Sequence, residues 1–243
     1  MSDVYFDASK LPDPEKQYVA FLDIMGMQKH FVNSQKLSAN FIFKFHAAIL
    51  SAMKKCNKGD QEIRAYPIMD GAYITAASAK TMRQFLVSLF NKLANLYLSE
   101  SKEEYRFIPR GALSYGNLHH GCDVPPEASK IFSDAESYKS CLLLGHPMVK
   151  AYQHEHDAAP FGVYIDDCSS CESRQDDDSF RRDWKWFKDS YFEQCDEDDP
   201  VCIGCLEQKL VGAFVKLAET ADSDEAVRRY HAYARAIKRY FAE

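Results

Sequence analysis

Hydrophobic positions along this chain follow two periods, and these predict most of its elements. Tyr18-Val19-Ala20-Phe21-Leu22-Asp23-Ile24 is an almost unbroken apolar run, so Gln17 to Ile24 reads as a fully buried strand. From Ser38 to Lys55 the apolar residues Phe41, Phe45, Ile49 and Met53 mark one helical face, with Ser38 as the expected N-cap. Glu62 to Ala76 is a second β region, broken at Asp70-Gly71, a two-residue hairpin signal. An amphipathic helix over Lys80 to Leu98 presents Met82, Phe85, Leu86, Leu89 and Leu93 on one side, and a strand over Arg106 to Tyr115 ends at Gly116. Beyond a loop with His119-His120-Gly121 and Pro125-Pro126, the pattern predicts a helix from about Leu143 to His156 and a short strand, Phe161 to Ile165.

Strand–helix–strand–strand–helix–strand is the order of the ferredoxin-like split βαβ, an α+β fold (βαββαβ). In that topology the first strand lies beside the central hairpin, so Asp23 and Asp70 become neighbours. Residues 1–167 form the expected core. Residues 168–222 change in composition, with Asp176-Asp177-Asp178 and Asp196-Glu197-Asp198-Asp199, and read as a Cys-rich acidic insertion or subdomain. Residues 223–243 predict a C-terminal helix with Val227, Tyr230, Ala234, Ile237 and Phe241 on one stripe and Arg228, Arg229, Arg235, Lys238 and Arg239 opposite. Such a helix docks on the body with a solvated charged face, or lies on a membrane surface.

Composition, 46% hydrophobic and 27% charged, is that of an ordinary folded chain. The net charge of -6 and the lack of a Lys/Arg run argue against a nucleic-acid partner. They do not argue against a nucleotide, because a bound metal can supply the positive field. Met1 to Gln17 holds no apolar signal region, and no stretch nears the roughly 18 apolar residues of a membrane span, so a cytoplasmic location without stable membrane association is expected. The eight cysteines then read as thiols or metal ligands. Cys168-x-x-Cys171 and Cys202-x-x-Cys205 are paired knuckles suited to a structural Zn²⁺; a disulfide in oxidised protein and plain thiols stay open.

The chemistry centres on two isolated carboxylates. An ionised Asp in an apolar strand is costly unless cations or donors compensate it. Asp23 and Asp70 each precede a glycine at a predicted strand end, an arrangement that can present both carboxylates to shared divalent metal. The plainer alternative is a helix cap at Asp23 and a turn residue at Asp70.

Surrounding residues add a resemblance. Phe21-Leu22-Asp23-Ile24-Met25-Gly26-Met27 resembles the first metal motif of class III nucleotidyl cyclases, and Ile68-Met69-Asp70-Gly71 resembles their second, an Ile-Gly-Asp hairpin. Arg110-Gly111-Ala112-Leu113-Ser114-Tyr115-Gly116 is similar to their Arg-x-Gly-Ile-x-x-Gly strand, and Gly145 to Tyr152 lies where they carry Gly-x-x-Val-Asn-x-Ala. The four motifs follow in order across residues 17 to 167, with the pyrimidine cyclase branch of bacterial anti-phage (Pycsar) systems most similar. That resemblance implies conversion of UTP or CTP to the 3′,5′-cyclic nucleotide and pyrophosphate, as a second messenger in anti-phage defence. It also implies a homodimer with active sites at the interface, and two Mn²⁺ or Mg²⁺ held by Asp23, Asp70 and the Ile24 carbonyl, with Phe21, Gly26, Tyr66 and Arg110 at the substrate. Tyr66 stands where purine-specific members have Lys or Glu, which favours a smaller base; a donor such as Arg110 facing uracil O4 gives UTP a slight preference over CTP.

Two departures matter. Met69 and Met27 replace the family's Gly and Phe, and Lys150 and His154 stand near positions where the family has a transition-state Asn and Arg. Lys150 or Arg106 is a candidate substitute cation. A catalytically weak or silent nucleotide-binding relative is the competing expectation, whereas a diguanylate-cyclase-like enzyme lacks its Gly-Gly-Asp/Glu-Glu-Phe hairpin here.

Overall fold

Alternation along β1 (Glu15–Ile24) sorts its side chains onto two faces of one sheet. Tyr18, Ala20, Leu22 and Ile24 enter the main core, while Val19 and Phe21 join a smaller cluster behind the sheet. Asp23 shares the parity of Val19 and Phe21. The structure is a computed structural model describing residues 5–27, 31–32, 34–57, 62–166, 180–193 and 201–242.

β1 is followed by α1 (Gln35–Cys56), β2 (Ile63–Ile68), β3 (Gly71–Ala76), α2 (Ala79–Ser99) and β4 (Pro109–His120). Sheet order is β2–β3–β1–β4–β5, where β5 is Leu143–Gly145, and the strands on this path pair antiparallel. This is the predicted ferredoxin-like split βαβ. β6 (Val163–Ile165) runs parallel to β4 beside Gly111 to Leu113. α1 and α2 cover the main face through Phe41, Phe45, Ile49, Phe85, Leu89 and Leu93. Among the described residues the other face carries α3 (His146–His154), whose Ala151 and Met148 pack on Val19 and Phe21. One thinly covered face makes room for a polar cleft.

Several boundaries differ from the sequence expectation for local physical reasons. Ser34, not Ser38, caps α1: its side chain accepts from the Leu37 amide at 3.3 Å, while the Ser38 hydroxyl is buried and donates to the Ser34 carbonyl at 3.0 Å. β4 runs through Gly116 to His120 because β1 and β5 both pair with that end. Leu143 to Gly145 is strand rather than helix, and α3 begins at His146 with Pro147 in its first turn, where proline lacks no needed amide.

The described residues beyond 167 do not stand apart from the core of residues 1–167. Trp186 is fully buried, stacks on Phe90 with centroids 6.0 Å apart, and donates its indole N–H to the Phe161 carbonyl at 2.8 Å. Helix α4 (Ile203–Glu219) adds Leu206, Leu210 and Phe214 to the same core, and α5 (Asp224–Phe241) adds Ala234, Ile237 and Phe241. Ser223 caps α5 through the Ala226 amide at 3.2 Å, and its basic residues are exposed. Among the described residues no helix is long and apolar enough to cross a membrane.

Candidate functional site

Asp23 is the penultimate residue of β1, one residue before the strand ends and the chain turns at Met25-Gly26, where Gly26 takes φ +78°. Leu22 pairs with Ala72 on one side, and Asp23 pairs with Arg110 on the other. Asp70 therefore reaches Asp23 from the β2–β3 hairpin, as the topology predicts. Ile68 pairs with Gly71, so the two turn residues are Met69 and Asp70, one position earlier than the Asp-Gly signal implies. Met69 carries the turn's positive φ, +51°. Gly71 serves a different need, because a Cβ there would lie 2.7 Å from the Leu22 carbonyl oxygen and 3.3 Å from Asp23 Oδ1. Its bare backbone lets β3 close on the strand that carries Asp23.

The opposite wall comes from the end of α3. Tyr152, Glu155 and His156 face Phe21, Asp23, Met69 and Asp70 across an open cleft of about 500 Å³. Phe21 bridges the walls, with ring centroids 4.8 Å from Tyr73 and 5.3 Å from Tyr152. Glu155 is buried and receives the Arg110 guanidinium: Nε donates to Oε1, Nη2 donates to Oε2 at 3.3 Å, and Nη1 reaches the His156 carbonyl at 3.4 Å. Asp23 thus faces two other carboxylates. Burial first, then Asp70 and Glu155, push its carboxyl up to about 7, against the Ile24 amide and the Arg110 charge that favour ionisation.

Other predicted residues fall elsewhere. Ile24 is buried at the end of β1 and Gly26 is exposed just beyond it. Tyr66 shares a row with Tyr73 and Phe21, hence the sheet face of Asp23, but it does not line the cleft. Its hydroxyl is hydrogen-bonded to His120 Nδ1, and His120 Nε2 lies 3.0 Å from Gln17 Oε1. Burial pushes the Tyr66 phenol up to about 12 and pushes His120 down, so both are neutral near pH 7. Lys150 lies 3.1 Å from Asp166 Oδ2; His154 stacks on Tyr164 and bonds Asp157 at 2.9 Å. Arg106 donates to the Glu100 carbonyl at 3.0 and 2.6 Å. None of these three residues lines the cleft, and among its described lining residues there is no Lys or Arg.

The cysteine expectation divides. Cys168 and Cys171 lie outside the described residues. Cys202 and Cys205, in the first turn of α4, are joined to each other by a disulfide, so in this structure neither sulfur is a zinc ligand. Glu155 is one of the cleft residues that sequence reasoning missed, with Gln153 and His156. Its signal was the spacing Pro147, Ala151, Glu155, which continues the buried stripe of α3 to the carboxylate just past its end.

Among the described residues no three His, Cys, Asp or Glu side chains form a ready-made metal cage. Two hard carboxylates beside an open cleft nevertheless fit Mg²⁺ or Mn²⁺, ions commonly held through one or two carboxylates, waters and substrate phosphates. The raised proton affinity of Asp23 comes first from burial and then from Asp70 and Glu155, charges that a divalent cation would offset.

No protein-family model matches the chain, and no curated protein is similar to it at a significant level. Among solved structures, it is similar to the monomeric guanylyl cyclase domain of the RhoGC fusion protein from the aquatic fungus Blastocladiella emersonii, at 14% identity over 64% of this chain and 83% of that one, TM-score 0.46. It is similar to the guanylate cyclase domain of RhGC from Catenaria anguillulae in complex with GTP, at 12% identity over 68% and 85%, TM-score 0.48. A structure of Trypanosoma brucei adenylate cyclases in their monomeric state matches at 13% identity over 65% and 76%, TM-score 0.42. Likeness at this level leaves function to the side chains.

Proposed function

We propose that this chain is a nucleotide cyclase that converts a pyrimidine nucleoside triphosphate, UTP ahead of CTP, to the 3′,5′-cyclic nucleotide and pyrophosphate. The observation that carries the reading is the convergence of Asp23 and Asp70 on one cleft, with Asp23 short of compensating positive charge. Divalent ions, when bound, would activate the ribose 3′-hydroxyl and offset triphosphate charge. Asp23 and Asp70 would hold those ions, with the Ile24 carbonyl as a further ligand. Phe21 and Tyr152 form an apolar wall along which the substrate lies. The 3′-oxygen bonds to the α-phosphorus as the bond to pyrophosphate breaks, and no covalent enzyme intermediate is required.

The sheet face of Tyr66 is the proposed base side, and its neutral phenol offers no cation to a purine edge. A homodimer is supported by exposed apolar residues beside the cleft: Ile68, Met69, Val149 and Tyr152. Val149 and Tyr152 lie one turn apart on α3, and a second copy covering them would close the site. Action in the cytoplasm as a source of second messenger in anti-phage defence rests on the resemblance of the four motifs. A weak or silent nucleotide-binding relative is the second reading, favoured by the engagement of Lys150, His154, Arg106 and Arg110 with other groups.

Incubating the purified protein with each of the four nucleoside triphosphates and Mn²⁺ tests the proposal. Cyclic UMP or cyclic CMP is expected, and Asp70→Ala abolishes it. A purine product overturns the pyrimidine assignment; no product from folded, Mn²⁺-bound protein supports the silent reading.

A further inference from the structure

The residue directly across from Asp23 is an arginine, yet that arginine does not pair with it. Directly opposite residues on antiparallel strands project from the same face with Cβ atoms about 5 Å apart, and opposite charges there ordinarily meet. Asp23 and Arg110 hold those positions on β1 and β4. An Asp23–Arg110 ion pair would be the default, and it would occupy the carboxylate on which the proposed metal site depends.

Glu155 prevents this. It follows α3 directly, and both its oxygens accept from the Arg110 fork, at Nε and Nη2. The two side chains are only 13% and 11% exposed, so the pair is largely shielded from water. The third arm, Nη1, is turned the same way by the His156 carbonyl. A planar guanidinium held at three points has little freedom to swing toward Asp23.

We propose that Glu155 is a positioning residue that withholds Arg110 from Asp23 and so keeps the Asp23–Asp70 pair open to a divalent cation. The inference rests on the metal reading given above and assigns Glu155 no contact with the reacting atoms. In Glu155→Gln the acceptor loses its charge, and Arg110 turns to the carboxylate directly across the strand pair, Asp23.

Mn²⁺ binding to the intact chain without nucleotide, followed by the electron paramagnetic resonance signal of free Mn²⁺, is the readout. Glu155→Gln is expected to weaken binding at least tenfold. Arg110→Gln, which removes the competitor, binds at least as tightly as the unaltered chain. The double variant Glu155→Gln/Arg110→Gln returns to within about threefold of the unaltered chain, a factor of three being under 1 kcal/mol. A double variant as weak as Glu155→Gln alone overturns the inference, since Glu155 would then act as a ligand or a purely structural group. Should Glu155→Gln fail to fold, weaker binding by Arg110→Gln overturns it equally. Absence of Mn²⁺ binding by the unaltered chain overturns the metal reading and this inference with it, an outcome distinct from a failed rescue.

Discussion

Asp23→Asn is expected to stabilise the metal-free protein, and to do so in a pH-dependent way. The Asp23 carboxyl titrates near 3.8 in an open chain and is pushed up to about 7 in the fold, by burial first and then by Asp70 and Glu155. Between those values the folded state holds a proton that the unfolded state releases, so stability falls as pH rises from about 4 through 7 and is flat above. Roughly three units correspond to a ceiling of about 4 kcal/mol at pH 8. One side of Asp23 faces the open cleft, where water screens the neighbouring charges, and about 2 kcal/mol is the working figure. Asparagine keeps an oxygen for the Ile24 amide and carries no charge, so it escapes the penalty. Thermal melts in EDTA should place Asp23→Asn about 4–8 °C above the unaltered chain at pH 8, with the gap roughly halved at pH 5.5. Saturating Mn²⁺ should raise the unaltered chain and leave the variant where it was. A variant no more stable at pH 8, or a gap that does not narrow toward pH 5.5, refutes the reasoning.

Met69→Gly removes a left-handed non-glycine residue at φ +51° and should raise stability by about 1 kcal/mol, read as a higher urea midpoint with unchanged slope. Gly71→Ala should cost about 1–3 kcal/mol and weaken Mn²⁺ binding, because its Cβ drives the hairpin from Leu22 and crowds Asp23. Burial alone raises Asp189, but the Arg83 and Trp184 side chains, each at 2.7 Å, and the Tyr191 amide outweigh it and hold the carboxyl below its usual value. Its contribution is present above about pH 4 and lost as pH falls below that, and Asp189→Ala should lower stability by about 3–5 kcal/mol in denaturant titrations at pH 7. Fluorescent nucleotide binding should require Mn²⁺ or Mg²⁺, dropping at least a hundredfold in EDTA; equal affinity in EDTA argues against the metal pair.

Long periodic segments were legible because their pattern and packing agree. Phe41, Phe45 and Ile49 on α1, and Met82 to Leu93 on α2, are buried as their spacing predicts. β5 has three residues, too few to display a period, and exists because β4 offers a free edge, whereas β6 falls within the predicted strand Phe161 to Ile165. The apolar stripe of α4, Leu206, Leu210 and Phe214, lies in a segment whose acidic, cysteine-rich composition masks its period. The hairpin was displaced by one residue for a related reason. Asp-Gly signals a turn when glycine supplies backbone freedom, whereas Gly71 is small because Leu22 and Asp23 pass so close.

The site divides along the same line. Asp23 and Asp70 stand out because each carboxylate interrupts apolar sequence, an anomaly visible before any fold is known. Arg110 and Glu155 look ordinary in sequence, and their importance arises from register and from where α3 ends. A triphosphate approaching this cleft meets Asp23, Asp70 and Glu155, with the adjacent Arg110 already engaged and no Lys or Arg among the described lining residues. Like charges a few ångströms apart repel by several kcal/mol in a partly shielded cleft, and side-chain rearrangement alone cannot reverse that sign. In the proposed site positive charge would arrive with the substrate, as divalent ions, or from a second copy seated on Val149 and Tyr152. Among the described residues, the scarcity of cations at the cleft is the deficit that the proposed metal-dependent, dimeric site would offset.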